Sequence, residues 1–166
     1  MESIVGLALP PIAYQTYGLW LDISLELKEI VELSHQALDI KKAIHAASHA
    51  LLQSLPSFIL CERKDICCEC PNSFETRFRP LRIILFDAHP GGVGILEQVL
   101  NLQMLLPIAK SALLLVEECE CTDGCSNCIL DAHCGEFNEM LCKAGALLIL
   151  RGVVQSYDEE IPSPAA

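Results

Sequence analysis

The sequence predicts an α+β fold, a helix-rich single domain with a small sheet and a cysteine-built knot, and three observations carry that reading. Ser34 to Leu55 contains no Gly or Pro and spaces Ala37, Ile40, Ile44, Ala47, Leu51 and Leu55 three or four apart, the period of one helical face. Leu81 to Phe86, LRIILF, is a short aliphatic and β-branched run of buried-strand character that feeds a glycine-bearing corner and then a second helical period. Between Cys119 and Cys134, CECTDGCSNCILDAHC crowds five cysteines into a turn-rich stretch.

Taken in order, TYGLWLDISLEL at 16–27 alternates in part and predicts a strand at 17–22 followed by a turn. The helix of 34–55 ends before Pro56, and Ser57 to Leu60 is a short apolar stretch that suits either a strand or a docking segment. CERKDICCECPNSFETRF at 61–78 is polar, lacks periodicity and is broken by Pro71, so it reads as a loop. After the strand at 81–86, helical spacing resumes through Ile95, Val99, Leu102 and Leu106, and a further helix runs from Pro107 to about Glu117. Glu136 to Val154 reads as a closing helix with Gly145 and Gly152 as weak points, and SYDEEIPSPAA as a frayed acidic tail.

The chain has 166 residues, 52% hydrophobic but 5% aromatic, with 22 Asp+Glu against 11 Lys+Arg and a formal net charge of -11. That hydrophobicity excludes disorder throughout. The acidic balance argues against autonomous nucleic-acid binding, which needs clustered cations against phosphate. The start of the chain carries Glu2 and no basic residue before its apolar stretch, so it does not read as a secretory signal; a reducing, intracellular compartment is expected. No uninterrupted apolar run approaches a membrane span, so no membrane partner is expected.

Ten cysteines in such a compartment point to metal. The pair Cys125 and Cys128 has the two-residue spacing that turns both thiolates onto one zinc ion, and Gly124 opens the turn before it. Cys119 with Cys121, or one of these with Cys134, completes a tetrahedron. The competing readings are a set of reduced core thiols and a redox pair, the latter disfavoured by three close cysteine neighbours. One structural zinc per chain is expected, making the fold class a helix-rich α+β domain with a four-cysteine zinc-binding knot.

Three other features read as structural. Cys61, Cys67, Cys68 and Cys70 read as bystanders, because adjacent Cys67 and Cys68 diverge and Cys68 with Cys70 is a poor chelate, with a second metal held by this set as the alternative. His45 and His49 share a helix face but lack the Glu of a zinc-peptidase helix, and read as a polar-tipped packing or partner face. DAHPGGVG, Asp87 to Gly94, satisfies neither nucleotide fingerprint. It reads as a rigid strand-to-helix corner tied by Asp87 and His89, with an alternative in which free amides at Gly91, Gly92 and Gly94 meet a DNA phosphate. With no nucleophile elbow, phosphate loop or magnesium carboxylate motif, no catalytic residue is assigned and the chain alone is expected to be non-catalytic.

The segments TYGLWLDI, HAASHALLQSLPSFILCERKDI, RIILFDAHPGGVGILEQVL and CECTDGCSNCILDAHCGEFNEMLCKAGALLIL together resemble the C-terminal zinc-binding module, of the DUF1998 and MrfA/Hrq type, of RecQ-like ATP-dependent DNA repair helicases. The resemblance runs from about residue 14 to 151. It departs from helicase relatives at Ser126, where Pro is usual, at Glu136, where Asn is usual, and at Cys67 and Cys68, where many carry glycines. It implies a flank at 1–13, the helicase-associated domain at 14–154 and a flexible tail at 155–166. It also implies Cys119, Cys121, Cys125 and Cys128 as zinc ligands, Cys134 being the alternative.

The family's module braces the motor lobes and helps place single-stranded DNA during 3′-to-5′ unwinding in repair. The implied partners are therefore motor lobes, in cis or in trans, and single-stranded DNA only within a larger assembly, in the nucleus of a eukaryote. The motor lobes are not in this sequence, so helicase activity is implied only for a parent architecture. Arg77, Arg79 and Arg82 are the basic side chains placed to meet DNA. The rival readings are a free-standing, zinc-stabilised interaction module without DNA binding, and a thiol oxidoreductase, which metal content would separate.

Overall fold

The computed structural model describes residues 13–34, 36–70, 80–101 and 103–160, with Glu159 and Glu160 described by backbone alone. Its center is the helix predicted from the 34–55 periodicity, which forms over Ile40–Ser54. It starts later than Ser34 because Asp39 caps it: the carboxylate accepts the Lys41 amide at 2.8 Å, while Ala37 before it has a left-handed φ of 46°. Twelve of its 15 residues are buried, so it is wrapped on all sides rather than packed on one.

Three strands form an antiparallel sheet in the order β1-β3-β2, with β1 at Gly18–Asp22, β2 at Ile66–Cys68 and β3 at Arg82–Asp87. Leu19 pairs with Leu85 and Leu21 with Ile83, and these four side chains alternate inward onto the core. β2 lies inside the segment expected to be a loop. It is three residues long, and its pairing with β3, not any local pattern, makes it a strand. Ser57 to Leu60 is not a strand; Leu55–Ser57 is a single 3-10 turn.

The helices are α1 (Leu25–Glu32), the central α2, α3 (Ile95–Asn101), α4 (Leu105–Glu117) and α5 (Lys143–Glu160). α1 replaces the expected turn, with Ser24 Oγ accepting the Leu27 amide at 3.1 Å as its cap. α5 begins after residues 136–142 and continues past Val154, so residues 155–160 of the expected tail are helical. α2 packs against α1, α4, α5 and the inner face of the sheet.

Gly145 and Gly152 are contact points rather than weaknesses. A Cβ on Gly145 would lie 2.5 Å from Ala43 Cβ of α2, and one on Gly152 2.5 Å from the Leu27 side chain of α1. Small residues there let α5 settle closely on both helices. Among the described residues, no single helix is long and apolar enough to cross a membrane.

Candidate metal centre

α4 delivers the chain to the knot. Its last turn ends at Glu117, Cys119 and Cys121 follow at once, and Gly124 turns the chain at φ 119°, where a Cβ would strike the Ile129 side chain at 2.5 Å. The carbonyl of Cys125 then accepts the amides of Cys128, Ile129 and Leu130 at 3.0, 3.1 and 3.0 Å, closing a tight turn that brings Cys128 back beside Cys125.

Four sulfurs converge as a result. Cys119 Sγ lies 3.4 Å from Cys121 Sγ and 3.5 Å from Cys125 Sγ, and Cys128 Sγ lies 3.5 Å from Cys121 Sγ and 3.8 Å from Cys125 Sγ. Tetrahedral zinc with sulfurs at about 2.3 Å separates them by about 3.8 Å, so this donor set fits the ion. The Cys125 amide donates to Cys128 Sγ at 3.3 Å. Lys143, the buried first residue of α5, donates to the carbonyls of Cys119 and Cys121, the latter at 2.5 Å. Sequence reasoning missed it, since a lone lysine 15 residues beyond the motif carries no local signal. Its cation offsets the net negative charge that four thiolates keep around a divalent ion.

The thiols are electrostatically divided. Burial pushes Cys128 up to about 12. Burial also pushes Cys121 upward, but hydrogen bonds from Cys119, Cys128, Cys125 and Lys143 outweigh it and bring Cys121 down to about 7. Ion binding therefore displaces protons, which couples zinc affinity to pH.

Cys134, the alternative ligand, does not join this set. It lies in a second cluster with Cys70, His45 and His49, whose ligand atoms all fall within 4.8 Å of one another. Among the described residues the structure thus presents two candidate metal clusters, where the sequence predicts one. Of the four early cysteines only Cys70 falls in this cluster. His45 and His49 are fully buried, not a surface face for a partner. The i,i+4 histidine spacing was the available signal, but it cannot show which cysteines meet it.

The glycine corner is not a phosphate site. Gly91 donates its amide to the Gln15 carbonyl at 2.7 Å and Gly92 to the His89 carbonyl at 2.9 Å. The amides of Val93, Gly94, Ile95 and Leu96 all donate to the carboxylate of Asp87, at 2.9, 2.7, 3.1 and 3.2 Å. The alternative of free amides at Gly91, Gly92 and Gly94 is therefore overturned: a buried internal carboxylate already occupies the position an anion would take. The rigid corner is what forms, with Asp87 at its center.

Of the basic side chains, Arg77 and Arg79 lie outside the described residues. Arg82 is held by Asp22, with Nε and Nη2 donating to its two carboxylate oxygens at 2.6 and 2.7 Å, and lies 5.4 Å from the Trp20 ring center.

Comparison with known proteins places these features in context. A family model described as the MrfA Zn-binding domain matches residues 47–129. The ATP-dependent helicase HRQ1 of Saccharomyces cerevisiae is 32% identical over 152 residues, covering 87% of this chain and 14% of that protein. An uncharacterised protein of Methanocaldococcus jannaschii is 32% identical over 110 residues, covering 64% of this chain and 96% of that protein. The solved structure of the DUF1998 helicase MrfA bound to DNA shares the fold, with a TM-score of 0.58 at 24% identity, over 89% of this chain and 18% of that one. The chain therefore spans about one seventh of the length of the yeast helicase it matches.

Proposed function

Because the chain belongs to the MrfA Zn-binding domain family, we propose that it is the zinc-stabilised accessory module of a superfamily 2, RecQ-like 3′-to-5′ DNA helicase. In this reading it performs no chemistry, braces the motor lobes and helps position single-stranded DNA in repair. The observation that carries the proposal is the convergence of Cys119, Cys121, Cys125 and Cys128 at the end of α4, within a fold shared with a DNA-bound helicase.

Those four thiolates would hold one zinc, whose role there is to close the 119–128 turn at the end of α4 with no reaction coordinate of its own. The chain's own residues do the rest. Lys143 fixes the carbonyls on either side of Glu120, and Asp87 locks the strand-to-helix corner beneath the sheet. β1 and α1 carry exposed apolar side chains at Trp20, Leu25, Ile30 and Leu33, the kind of surface a motor lobe would bury. Any direct DNA contact falls to Arg77 and Arg79, with Arg82 contributing only if it exchanges Asp22 for phosphate.

The test joins the chain to the motor lobes of its parent helicase and follows single-stranded DNA binding as salt is raised. The chain alone should bind at about 10⁻⁴ M or weaker. Within the assembly, Arg77→Ala and Arg79→Ala should each lower the salt slope by about one. Unchanged slopes with intact assembly would leave bracing as the module's role, and failure to associate with motor lobes would refute the proposal.

One observation favours a second reading. The archaeal relative is matched over 96% of its length but covers 64% of this chain, so a protein little larger than the matched part of this module exists on its own. A free-standing interaction module without DNA binding accounts for that, and it predicts that the chain recruits a partner through an interface that substitutions at Arg77 and Arg79 do not affect.

A further inference from the structure

We propose that His45, His49, Cys70 and Cys134 form a second zinc site, separate from the four-cysteine knot. The distances match a tetrahedral S2N2 shell. Cys70 Sγ lies 3.9 Å from Cys134 Sγ, and Cys134 Sγ lies 3.6 Å from His45 Nε2. Zinc with sulfur at about 2.3 Å and nitrogen at about 2.0 Å separates such atoms by about 3.8 and 3.6 Å.

The histidine tautomers point the same way. His45 Nδ1 lies 3.2 Å from the Met140 carbonyl and His49 Nδ1 2.8 Å from the Ile129 carbonyl. A carbonyl can only accept, so each Nδ1 carries the proton and each Nε2 keeps its lone pair. Both lone pairs belong to the cluster, and His49 Nε2 is fully buried with no hydrogen-bond partner. A buried acceptor without a hydrogen-bond partner, set in a cluster with two thiols, offers its lone pair to a Lewis acid. Histidine ligands to metal characteristically donate the opposite ring N–H to a backbone carbonyl, the arrangement both rings have here.

The loop that brings Cys134 and the Met140 carbonyl into place is built for that purpose. Phe137, Asn138 and Met140 all take left-handed backbone angles, at φ 53°, 62° and 58°, which only a strongly determined loop maintains in non-glycine residues. Asn138 donates its amide to Cys134 Sγ at 3.3 Å and clamps Asp131 through both side-chain amide atoms, at 2.7 and 2.8 Å. A cleft lined by Cys68, Cys70, Asp131, Cys134 and Glu136 gives an ion access from solvent.

The donor set selects among ions: two thiolates and two imidazoles in a tetrahedron suit zinc and exclude magnesium and calcium. A disulfide between Cys70 and Cys134 would account for the thiols but not for two converging Nε2 lone pairs, and both cysteines are free. The ion would cross-link the middle of α2 to the end of β2 and to the 131–140 loop, segments the sequence holds far apart.

Elemental analysis of the full chain should find two zinc ions per molecule. His49→Gln and Cys134→Ser should each remove one, and Cys128→Ser should remove the other while sparing this site. Because loss of metal here can also cost the fold, X-ray absorption of the wild-type zinc protein supplies an independent reading. The average shell should hold three sulfurs and one nitrogen per zinc, from one site of four cysteines and one of two cysteines with two histidines. A shell of sulfur alone, a Cys70–Cys134 disulfide in the purified chain, or a zinc content that His49→Gln and Cys134→Ser leave unchanged would overturn the proposal.

Discussion

The cysteine knot and the glycine corner are both tight turns beside a helix end, and they solve the same electrostatic problem from opposite directions. At the corner, the amides that open α3 converge on a charge the chain itself provides, the Asp87 carboxylate, so the turn is complete without a ligand. At the knot, four sulfurs converge on a position that only an external cation completes, while Lys143 holds the carbonyls of Cys119 and Cys121 beside it. A turn that carries its own counter-charge is a structural joint, whereas one that lacks it is a binding site. Glycine content and helix-end geometry do not distinguish them.

Metal removal should split the two regions most sharply. With a strong chelator, amide exchange over 119–131 should rise to near that of an unfolded segment, because few apolar side chains otherwise hold it, while amides 93–96 stay protected. Equal loss in both regions would mean that the knot's order controls the whole fold. Acidification should act in the same direction as chelation. Zinc needs all four thiolates, and protons compete for them, so zinc is lost as pH falls and the metal-bound form is stable on the alkaline side. Zinc release followed by a colorimetric chelator checks the sign.

Asp87→Ala should do the reverse, destabilising the chain by about 3 kcal/mol by stranding four amides, those of Ile95 and Leu96 buried, with zinc content unchanged in the protein that remains folded. Chemical denaturation measures the first effect and elemental analysis the second. Gly92→Ala should cost less, about 1–3 kcal/mol, because its φ of 70° disfavors a side chain and the new Cβ would meet the Tyr17 ring at 2.4 Å. Arg82→Ala is expected to be the mildest, under about 1 kcal/mol, since Asp22 is largely exposed and the pair is screened by solvent. A large loss there would show that the stack on Trp20 matters more than the ion pair.

What could be read from the sequence follows from how local each feature is. α2, β1, β3 and α4 announce themselves through spacing within a single segment, and the knot through ten contiguous residues from Cys119 to Cys128. β2 could not be foreseen because three residues carry no period, and only β3 makes them a strand. α1 was hidden behind its own cap, since Ser24 after a strand reads equally well as a turn. The His45, His49, Cys70 and Cys134 cluster draws its ligands from three separate segments, and a histidine pair four apart fits packing as well as metal until tertiary contacts bring the cysteines to it. At the corner, the sequence already pointed to a joint tied by Asp87, but not that its one carboxylate would take all four amides from Val93 to Leu96.

The most direct test of the account is a crystal of the full chain measured at the zinc absorption edge. The account predicts an anomalous peak at about 2.3 Å from each Sγ of Cys119, Cys121, Cys125 and Cys128. An ordered knot with no peak at its center, or with its sulfurs joined as disulfides, would contradict it.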